Sequence, residues 1–459
     1  MKVSDFLDTR EINTRQILIV ALAVTILVLD SADLSLLSYV SPVMIEEWKV
    51  TKGMFGIALS AAFFSMGIGS LLGGWIGDRV GRKKALMFMV LIFGSGSVLT
   101  AFVTDITSLT IIRLISGFGF GAATPNALAL ATEWVPTRAR SRVASIIYIG
   151  VSGGAALAGV LATFLLAVVG WQGLFIICGI ITMVTGLLIW VAAPESPQYL
   201  QVKGRLDDAT AALKQIFGKK DEALFTSKLT RLEIDEKSVS TKEGILSPAY
   251  RRFTIGTCFS FVAQASFFYS LATWLPIILL SFGFTLKASI VSLLILSFIA
   301  ISGGLIVEPI IRRFGTKSVM LWLIGFNAVM TVIMIGFSIV NRDTMGAISG
   351  LLVLVILYAT SFAQAALSSS EYILMSHGYP VSSRAAGFGA NLMCARFAGM
   401  AGISLGGFLL GLREHDTTPY FSMNLVLLAL LAISIFVIDR HVRPRKHLER
   451  MAAAGAPAE

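Results

Sequence analysis

Long apolar stretches separated by short polar ones run the length of the chain, and each is long enough to cross a bilayer as a helix, since about 30 Å of hydrocarbon needs roughly 20 residues. The pattern predicts twelve such helices, near 17–40, 53–77, 85–104, 107–133, 141–168, 171–193, 253–280, 287–311, 318–340, 345–375, 385–411 and 419–438. One connection stands apart: residues 194–250 turn charged and polar, from Pro194-Glu195-Ser196-Pro197 to Pro248. This predicts an all-α polytopic membrane protein with a six-helix bundle at 1–193, a linker at 194–250, and a second six-helix bundle with a polar tail at 251–459. Within the linker, Leu206, Leu213, Ile216 and Phe217 share one helical face, with Asp207, Asp208 and Lys214 largely elsewhere. A short amphipathic helix lying under the bundle is expected there, a solvated linker being preferred to a regulatory-partner site.

Composition agrees. Of 459 residues, 56% are hydrophobic and 14% charged, too apolar for one soluble core. The formal net charge of +10 would by itself suit a nucleic-acid partner, but its distribution argues against one. Lys83, Arg138, Arg140, Arg142, Arg312, Arg313, Lys317, Arg384 and the cluster from Arg440 to Arg450 fall in alternate loops, while the opposite loops hold few cations: Lys49, Lys52, Lys287, Arg342 and Arg413. Basic loops stay on the cytoplasmic face of a bilayer. A bacterial inner membrane with both termini in the cytoplasm is therefore expected. Met1 to Gln16 is polar and the first apolar stretch is too long for a cleaved signal. Cys178, Cys258 and Cys394 all lie in spans with no metal-ligand spacing, so neither a disulfide nor a metal site is expected.

The two halves repeat. Placing Gly69 on Gly303 brings Leu71 onto Leu305, Arg79 onto Arg313, Gly81 onto Gly315 and Lys83 onto Lys317; a second placement pairs Pro136 with Pro380 and Arg140 with Arg384. Repeats of this kind build membrane proteins with a central site that rock about the junction of their halves. The copies differ at one position of interest: Asp78 falls on Arg312, and the nearest carboxylate in the second half is Glu308, one helical turn earlier. An ion-pair latch in the second half must then be built differently from one made by Asp78, Arg79 and Arg82.

Polar residues inside spans are costly, and function is the first hypothesis for each. Asp30 and Asp33 stand at i and i+3 on one helical face. Two ionised carboxylates so close in a low dielectric repel, which makes them a candidate proton site; the alternative is a solvated helix interruption near the outer end. Arg113 opens a stripe with Gly117 and Gly121, and is either a relay partner for that site or a snorkelling anchor. Asn126, further along, is a candidate lining residue, and Glu133 is expected to pair with Arg138 or Arg140. In the eleventh span Arg396 follows Asn391 and precedes a Gly-rich run; a guanidinium at that depth needs an anion, either a bound carboxylate or an internal partner such as Glu371 or Asp33. Tyr269, Trp274, Tyr358 and Phe268 supply aromatic surface able to sandwich a planar ring, with core packing or a place in the interfacial aromatic belt as the alternative. Gln264 and Gln364 add hydrogen-bonding capacity.

The stretch Gly74-x-x-x-Asp78-Arg79-x-Gly81-Arg82-Lys83 resembles the loop signature of the major facilitator superfamily. Along most of its length the chain resembles the aromatic acid:proton symporter branch of that superfamily. The resemblance rests on Asp30-x-x-Asp33, the run from Arg113 to Pro125-Asn126, Pro136-Thr137-Arg138-Ala139-Arg140-Ser141, Trp274-Leu275-Pro276, and Tyr379-Pro380 with Arg384-Ala385-x-Gly387. It implies twelve helices in two pseudo-symmetric six-helix bundles, transport roles for Asp30, Asp33 and Asp78, and a functional arginine at Arg396. Ser31 stands where that branch usually has Gly, and Ile311-Arg312-Arg313 where it has Asp-Arg. The expected activity is proton-coupled import of a small organic anion, an aromatic or similar planar carboxylate, by a monomer driven by the proton gradient without a cofactor. Asp30, Asp33 and Arg113 would couple the proton. Arg396, Asn126, Asn391, Gln264, Tyr269, Trp274 and Gln364 would meet the substrate, and Asp78, Arg79, Arg82, Arg140, Arg312, Arg313 and Arg384 would gate. Transport of a short carboxylate or sugar-like metabolite, efflux by antiport, and a transporter-like sensor stand as alternatives. An enzyme is not expected, since the spans offer only His377, near a loop.

Overall fold

The computed structural model describes residues 3–218, 245–339, 347–379, 381–412 and 416–442, with the backbone path alone at 141, 144, 145, 148, 149, 151, 152, 347, 348 and 381–386. Arg342, Arg413 and the basic tail beyond 442 lie outside the described residues. In chain order the helices are α1 (Val3–Asp8), α2 (Thr14–Trp48), α3 (Lys52–Val80), α4 (Arg82–Thr100), α5 (Ile106–Glu133), α6 (Thr137–Ala192), α7 (Pro197–Val202), α8 (Leu206–Phe217), α9 (Arg251–Ser281), α10 (Leu286–Phe314), α11 (Thr316–Ile339), α12 (Ala347–Gly378), α13 (Val381–Gly411) and α14 (Thr418–Val437). Eleven of them have the length and apolar composition of a membrane span among the described residues. At 56 residues α6 would reach about 84 Å if straight, far beyond a bilayer. It is broken at Gly170, where φ 66 and ψ 178 suit only glycine, and its two arms are separate crossings, which makes twelve.

The burial pattern inverts that of a water-soluble protein. Phe88, Ile115, Phe164, Leu305, Phe408 and Phe436 are each more than half exposed, whereas Asp33, Arg113, Asn126, Gln264, Gln364 and Asn391 are buried. Hydrocarbon outside and polar contacts inside are what a bilayer selects. With no hydrophobic force between helices in lipid, close packing must hold them. A Cβ on Gly121 of α5 would stand 2.0 Å from the Met66 carbonyl oxygen of α3, so only glycine allows that crossing. At the corresponding α10–α12 crossing, a Cβ on Gly303 would stand 2.4 Å from the Phe362 carbonyl oxygen.

The chain divides into two compact units, Met1–Leu37 with Ala61–Ser240, and Ser38–Ser60 with Thr241–Glu459. In the first, α8 buries Ala209, Ala212, Leu213 and Ile216 in a cluster that also takes Val3, Phe6 and Leu7 of α1. The Val3 amide donates to the Gln201 side-chain oxygen at 2.8 Å, tying α1 to α7. Asp8, at the end of α1, accepts the Thr137 amide at 2.5 Å and so serves the start of α6. That hydrogen bond from the backbone, with Arg140 and Arg138 adding attraction, holds its carboxyl below the ordinary range. In the second unit, Ser404 donates to Ser60 at 2.7 Å and Lys52 donates to the Leu410 carbonyl at 3.2 Å, so the start of α3 is fastened to α13.

Candidate functional site

Two sets of polar side chains meet inside the spans, one in each unit. In the first, Arg113 of α5 donates through Nη1 to Asp33 Oδ2 of α2 at 2.6 Å, both side chains being almost completely buried. Its Nη2 donates to Thr100 Oγ1 at 2.9 Å, and its guanidinium lies 4.9 Å from the centre of the Phe175 ring. The Ser97 hydroxyl donates to the other oxygen of Asp33. Asp30 is buried one turn earlier on the same face of α2. Snorkelling is thus replaced by an internal ion pair: Asp33 and Thr100 take the two Nη atoms at depth, while Nε is buried without a hydrogen-bond partner. Asp33 thus has its counter-charge in Arg113.

Asn126 sits lower on α5, fully buried, and donates to the Gly73 and Ala122 carbonyls at 2.8 Å each. Its amide nitrogen joins α3 to α5, and its oxygen is buried without a hydrogen-bond partner. At the end of α3, Asp78 pairs with Arg82 at 2.5 Å on the next helix turn and is itself 64% exposed. Arg82 Nε lies 3.6 Å from Glu133, and Ser196 donates to Glu133. Arg138 and Arg140 are therefore not the partners of Glu133; they flank Asp8 instead. Arg79 stacks on Trp75 at 3.8 Å, and its carbonyl accepts the Tyr199 hydroxyl at 2.9 Å.

Glu195 is a residue that sequence reasoning passed over. Its Oε1 accepts the Lys83 amide at 2.9 Å, which caps the N-terminus of α4, and it also accepts the Ser196 amide at 3.0 Å. A carboxylate there meets the positive end of the helix dipole. Gly81 before α4 has φ +108, and a Cβ on it would stand 2.2 Å from Glu195 Oε2. The signal was present: α4 starts with glycine at its cap and three cations, so its first amides needed an acceptor from elsewhere.

In the second unit Arg312 pairs with Glu308 at 2.6 Å along α10, both largely exposed, and Arg313 lies over Phe314 at 5.2 Å. The second-half copy of the loop is thus a local pair on one helix. The Arg384 side chain lies outside the described residues. At mid-span, Arg396 of α13 donates through Nη1 to the Tyr269 hydroxyl of α9 at 3.1 Å, and its Nε is buried without a partner. Within its unit, among the described residues, no carboxylate is at ion-pairing distance from it. Both internal partners that the sequence offered are engaged otherwise, Asp33 by Arg113 and Glu371 by the Ser260 hydroxyl.

On the same helix Gln264 donates to the Gln364 carbonyl at 2.9 Å and the Ser368 hydroxyl at 2.7 Å, and both polar side-chain atoms of buried Gln364 are without partners. Asn391 donates back to the Gly387 carbonyl at 2.8 Å and keeps a buried oxygen unpartnered. Trp274 departs from its expected role. Fully buried, it donates to the Ile403 carbonyl at 2.9 Å and packs where Gly56, Gly406 and Gly407 leave room. Its indole is a wedge between α9 and α13. Among the described residues no group of three or more His, Cys, Asp or Glu is placed to hold a metal ion.

Twelve spans with buried charges inside and hydrocarbon-facing surfaces outside define a polytopic membrane transporter. The profile of the Major Facilitator Superfamily matches residues 23–401, and the chain belongs to that family. It is 29% identical over 430 residues to a 4-hydroxybenzoate transporter, PcaK, of Acinetobacter baylyi, covering 92% of this chain and 91% of the other. It is 27% identical over 414 residues to a gallate transporter of Pseudomonas putida, covering 89% of each. The resemblance to the aromatic acid:proton symporter branch therefore holds beyond the motifs that first carried it. In fold it is similar to the xylose transporter XylE from E. coli, with a TM-score of 0.70 at 17% identity, covering 94% of this chain and 99% of that one. A member of this family moves solutes across a membrane and is not an enzyme.

Proposed function

We propose that the protein imports an aromatic carboxylate together with a proton across the bacterial inner membrane, with both termini in the cytoplasm, acting as a monomer and drawing only on the proton gradient. The observation that carries the reading is Arg396: a cation deep in a span, braced by Tyr269 and without a carboxylate partner in its unit. A planar guanidinium matches a carboxylate in a two-point contact, and a substrate anion would supply the missing charge. Tyr269 adds a ring face, and Gln264, Gln364 and Asn391 offer donors and acceptors for ring substituents. Relatives named for 4-hydroxybenzoate and gallate transport support this substrate class.

Charge balance supplies the coupling. The Asp33–Arg113 pair is neutral as it stands, and Arg396 with a bound carboxylate is neutral too. Asp30 is buried one turn from that pair, and a proton taken up there would change the buried charge of the loaded protein by one unit, which matters to a conformational change because net charge is costly in a low dielectric. Asp78, Arg79, Arg82, Arg140, Arg312, Arg313 and Arg384 belong to the loops that would gate that change.

The test is uptake by proteoliposomes under an imposed pH gradient, with 4-hydroxybenzoate, gallate, benzoate, a short dicarboxylate and xylose as solutes. Accumulation of the aromatic acids, abolished by a protonophore and by Asp30→Asn while solute counterflow persists, is the expected result. Accumulation of another solute class would replace the substrate. Outward pumping would make the protein an antiporter, and binding without transport would make it a sensor.

A further inference from the structure

A buried acid in the second unit has no role in this scheme. Glu371 of α12 is 3% exposed and accepts a hydrogen bond from the Ser260 hydroxyl of α9. Among the described residues no cation forms an ion pair with it. Of the titratable groups on α9 and α13 that are not exposed, Cys258, Tyr269, Cys394 and Arg396, none bonds to it. Lys287, Glu308, Arg312 and Arg313 on α10 and Lys317 on α11 are exposed, as are Tyr372 and His377 on α12 itself. His377 turns its ring nitrogen to the Ile373 carbonyl and Ser376.

A carboxylate with full charge and no counter-ion is among the most costly groups to keep in a membrane span. A carboxylic acid there costs far less. A serine hydroxyl can donate to the first and accept from the second, so the contact survives either state. The Asp33 site is of the opposite kind, since a guanidinium only donates. Position adds to this. Ser260 and Tyr269 are nine residues apart on α9, about 13 Å along the helix, with Gln264 between them bonded to Gln364 and Ser368 of α12. Polar contacts thus line the α9–α12 seam from the level of Arg396 toward the end of α9 that the charge pattern assigns to the cytoplasm.

We propose that Glu371, held by Ser260, is a second proton-binding site of the transport cycle, taking up a proton as the carboxylic acid and releasing it to the cytoplasmic side. The proposal rests on proton-coupled transport as read above, and its test has an arm that does not depend on that reading. Dicyclohexylcarbodiimide partitions into membranes and reacts with protonated carboxyl groups, whose proton passes to the carbodiimide nitrogen as the carboxyl oxygen bonds its carbon. The purified full-length protein in proteoliposomes, treated near neutral pH and digested, should carry the adduct at Glu371 by mass spectrometry. Labelling should slow as the pH is raised, and should increase in a buffer one pH unit more acid. No adduct at Glu371 at either pH overturns the proposal.

The second arm is Glu371→Gln, which keeps the volume and can still accept from Ser260. Counterflow of 4-hydroxybenzoate should continue, while gradient-driven accumulation should fall by about tenfold for each pH unit imposed, the factor one coupled proton supplies. Wild-type accumulation in Glu371→Gln, with the protein inserted, also overturns it. Should the wild-type protein itself accumulate no aromatic acid, the functional reading fails, and the labelling arm still decides whether Glu371 carries a proton.

Discussion

The two units treat buried charge in opposite ways. In the first, Asp33 and Arg113 neutralise each other at 2.6 Å, with Thr100 and Ser97 completing the contacts. In the second, among the described residues, a cation and an acid are both left without an opposite charge: Arg396 has Tyr269, and Glu371 has Ser260. A satisfied pair is a fixed structural element, because removing either partner strands the other. A lone cation or lone acid can be completed by something that comes and goes. The difference gives the Asp33–Arg113 pair a structural part, and leaves Arg396 and Glu371 open to the exchange of anion and proton proposed above.

The sharpest way to break this comparison is Arg113→Ala. It strands Asp33 in the interior and should destabilise the protein by about 3 to 5 kcal/mol, read as a fall in unfolding temperature in detergent. The double variant Asp33→Asn with Arg113→Ala should recover part of the loss. If the single variant melts like wild type, the pair has no structural weight and the contrast fails.

Arg396→Ala should do the reverse. Stability should change little, while binding of an aromatic acid weakens by about 2 to 5 kcal/mol, followed by titration calorimetry. Arg396→Lys should fall between, since a point charge cannot reproduce the planar fork. Wild-type affinity in Arg396→Ala would return this arginine to a packing role.

Next in size is the steric test of the first unit. Gly121→Ala places a methyl group against the Met66 carbonyl and should cost about 1 to 3 kcal/mol. Gly74→Ala, four residues before Asp78 and with open space at its Cβ, should be neutral. Equal melting of the two variants would show that the crossing yields easily.

The smallest effects belong to the polar ends. Asp78→Asn removes an exposed ion pair worth about 0.2 to 1 kcal/mol, so stability should hold while transport slows if the loop gates. Raised labelling of a cysteine placed at Ala139, in a background without other cysteines, would report the gating shift, and unchanged labelling would leave Asp78 a loop residue. Asp8 gives a pH dependence. Its carboxyl titrates below the ordinary carboxylate range, so its contribution to docking α1 on α6 is complete above that range and is lost as the pH falls through the lower, folded value. Proteolysis at the N-terminus should therefore quicken only at strongly acid pH, and Asp8→Asn should remove the dependence.

Much of the fold could be read directly from the chain. Membrane spans announce themselves because lipid demands some twenty apolar residues in a row, and even the break in α6 falls at Gly170, between two spans separated in the sequence. The candidate site was legible as a roster. Asp30, Asp33, Arg113, Arg396 and Gln264 stand out because charged and amide groups are rare in spans. Their partners were not legible. Glu133 takes Arg82 and Ser196 in place of the nearby Arg138 and Arg140, and Glu195 reaches back more than a hundred residues to cap α4. The Trp274 indole and the Asn126 nitrogen donate to carbonyl groups of neighbouring helices.

The sequence by itself determined what must be buried in lipid, where the chain crosses it, and which few residues carry charge into it, because the cost of transfer acts on each segment alone. Tertiary structure decided which of those charges cancel. Whether Arg113 finds Asp33 and Arg396 finds no carboxylate in its unit depends on how helices distant in the chain are set against one another, to within the few ångströms over which an ion pair forms.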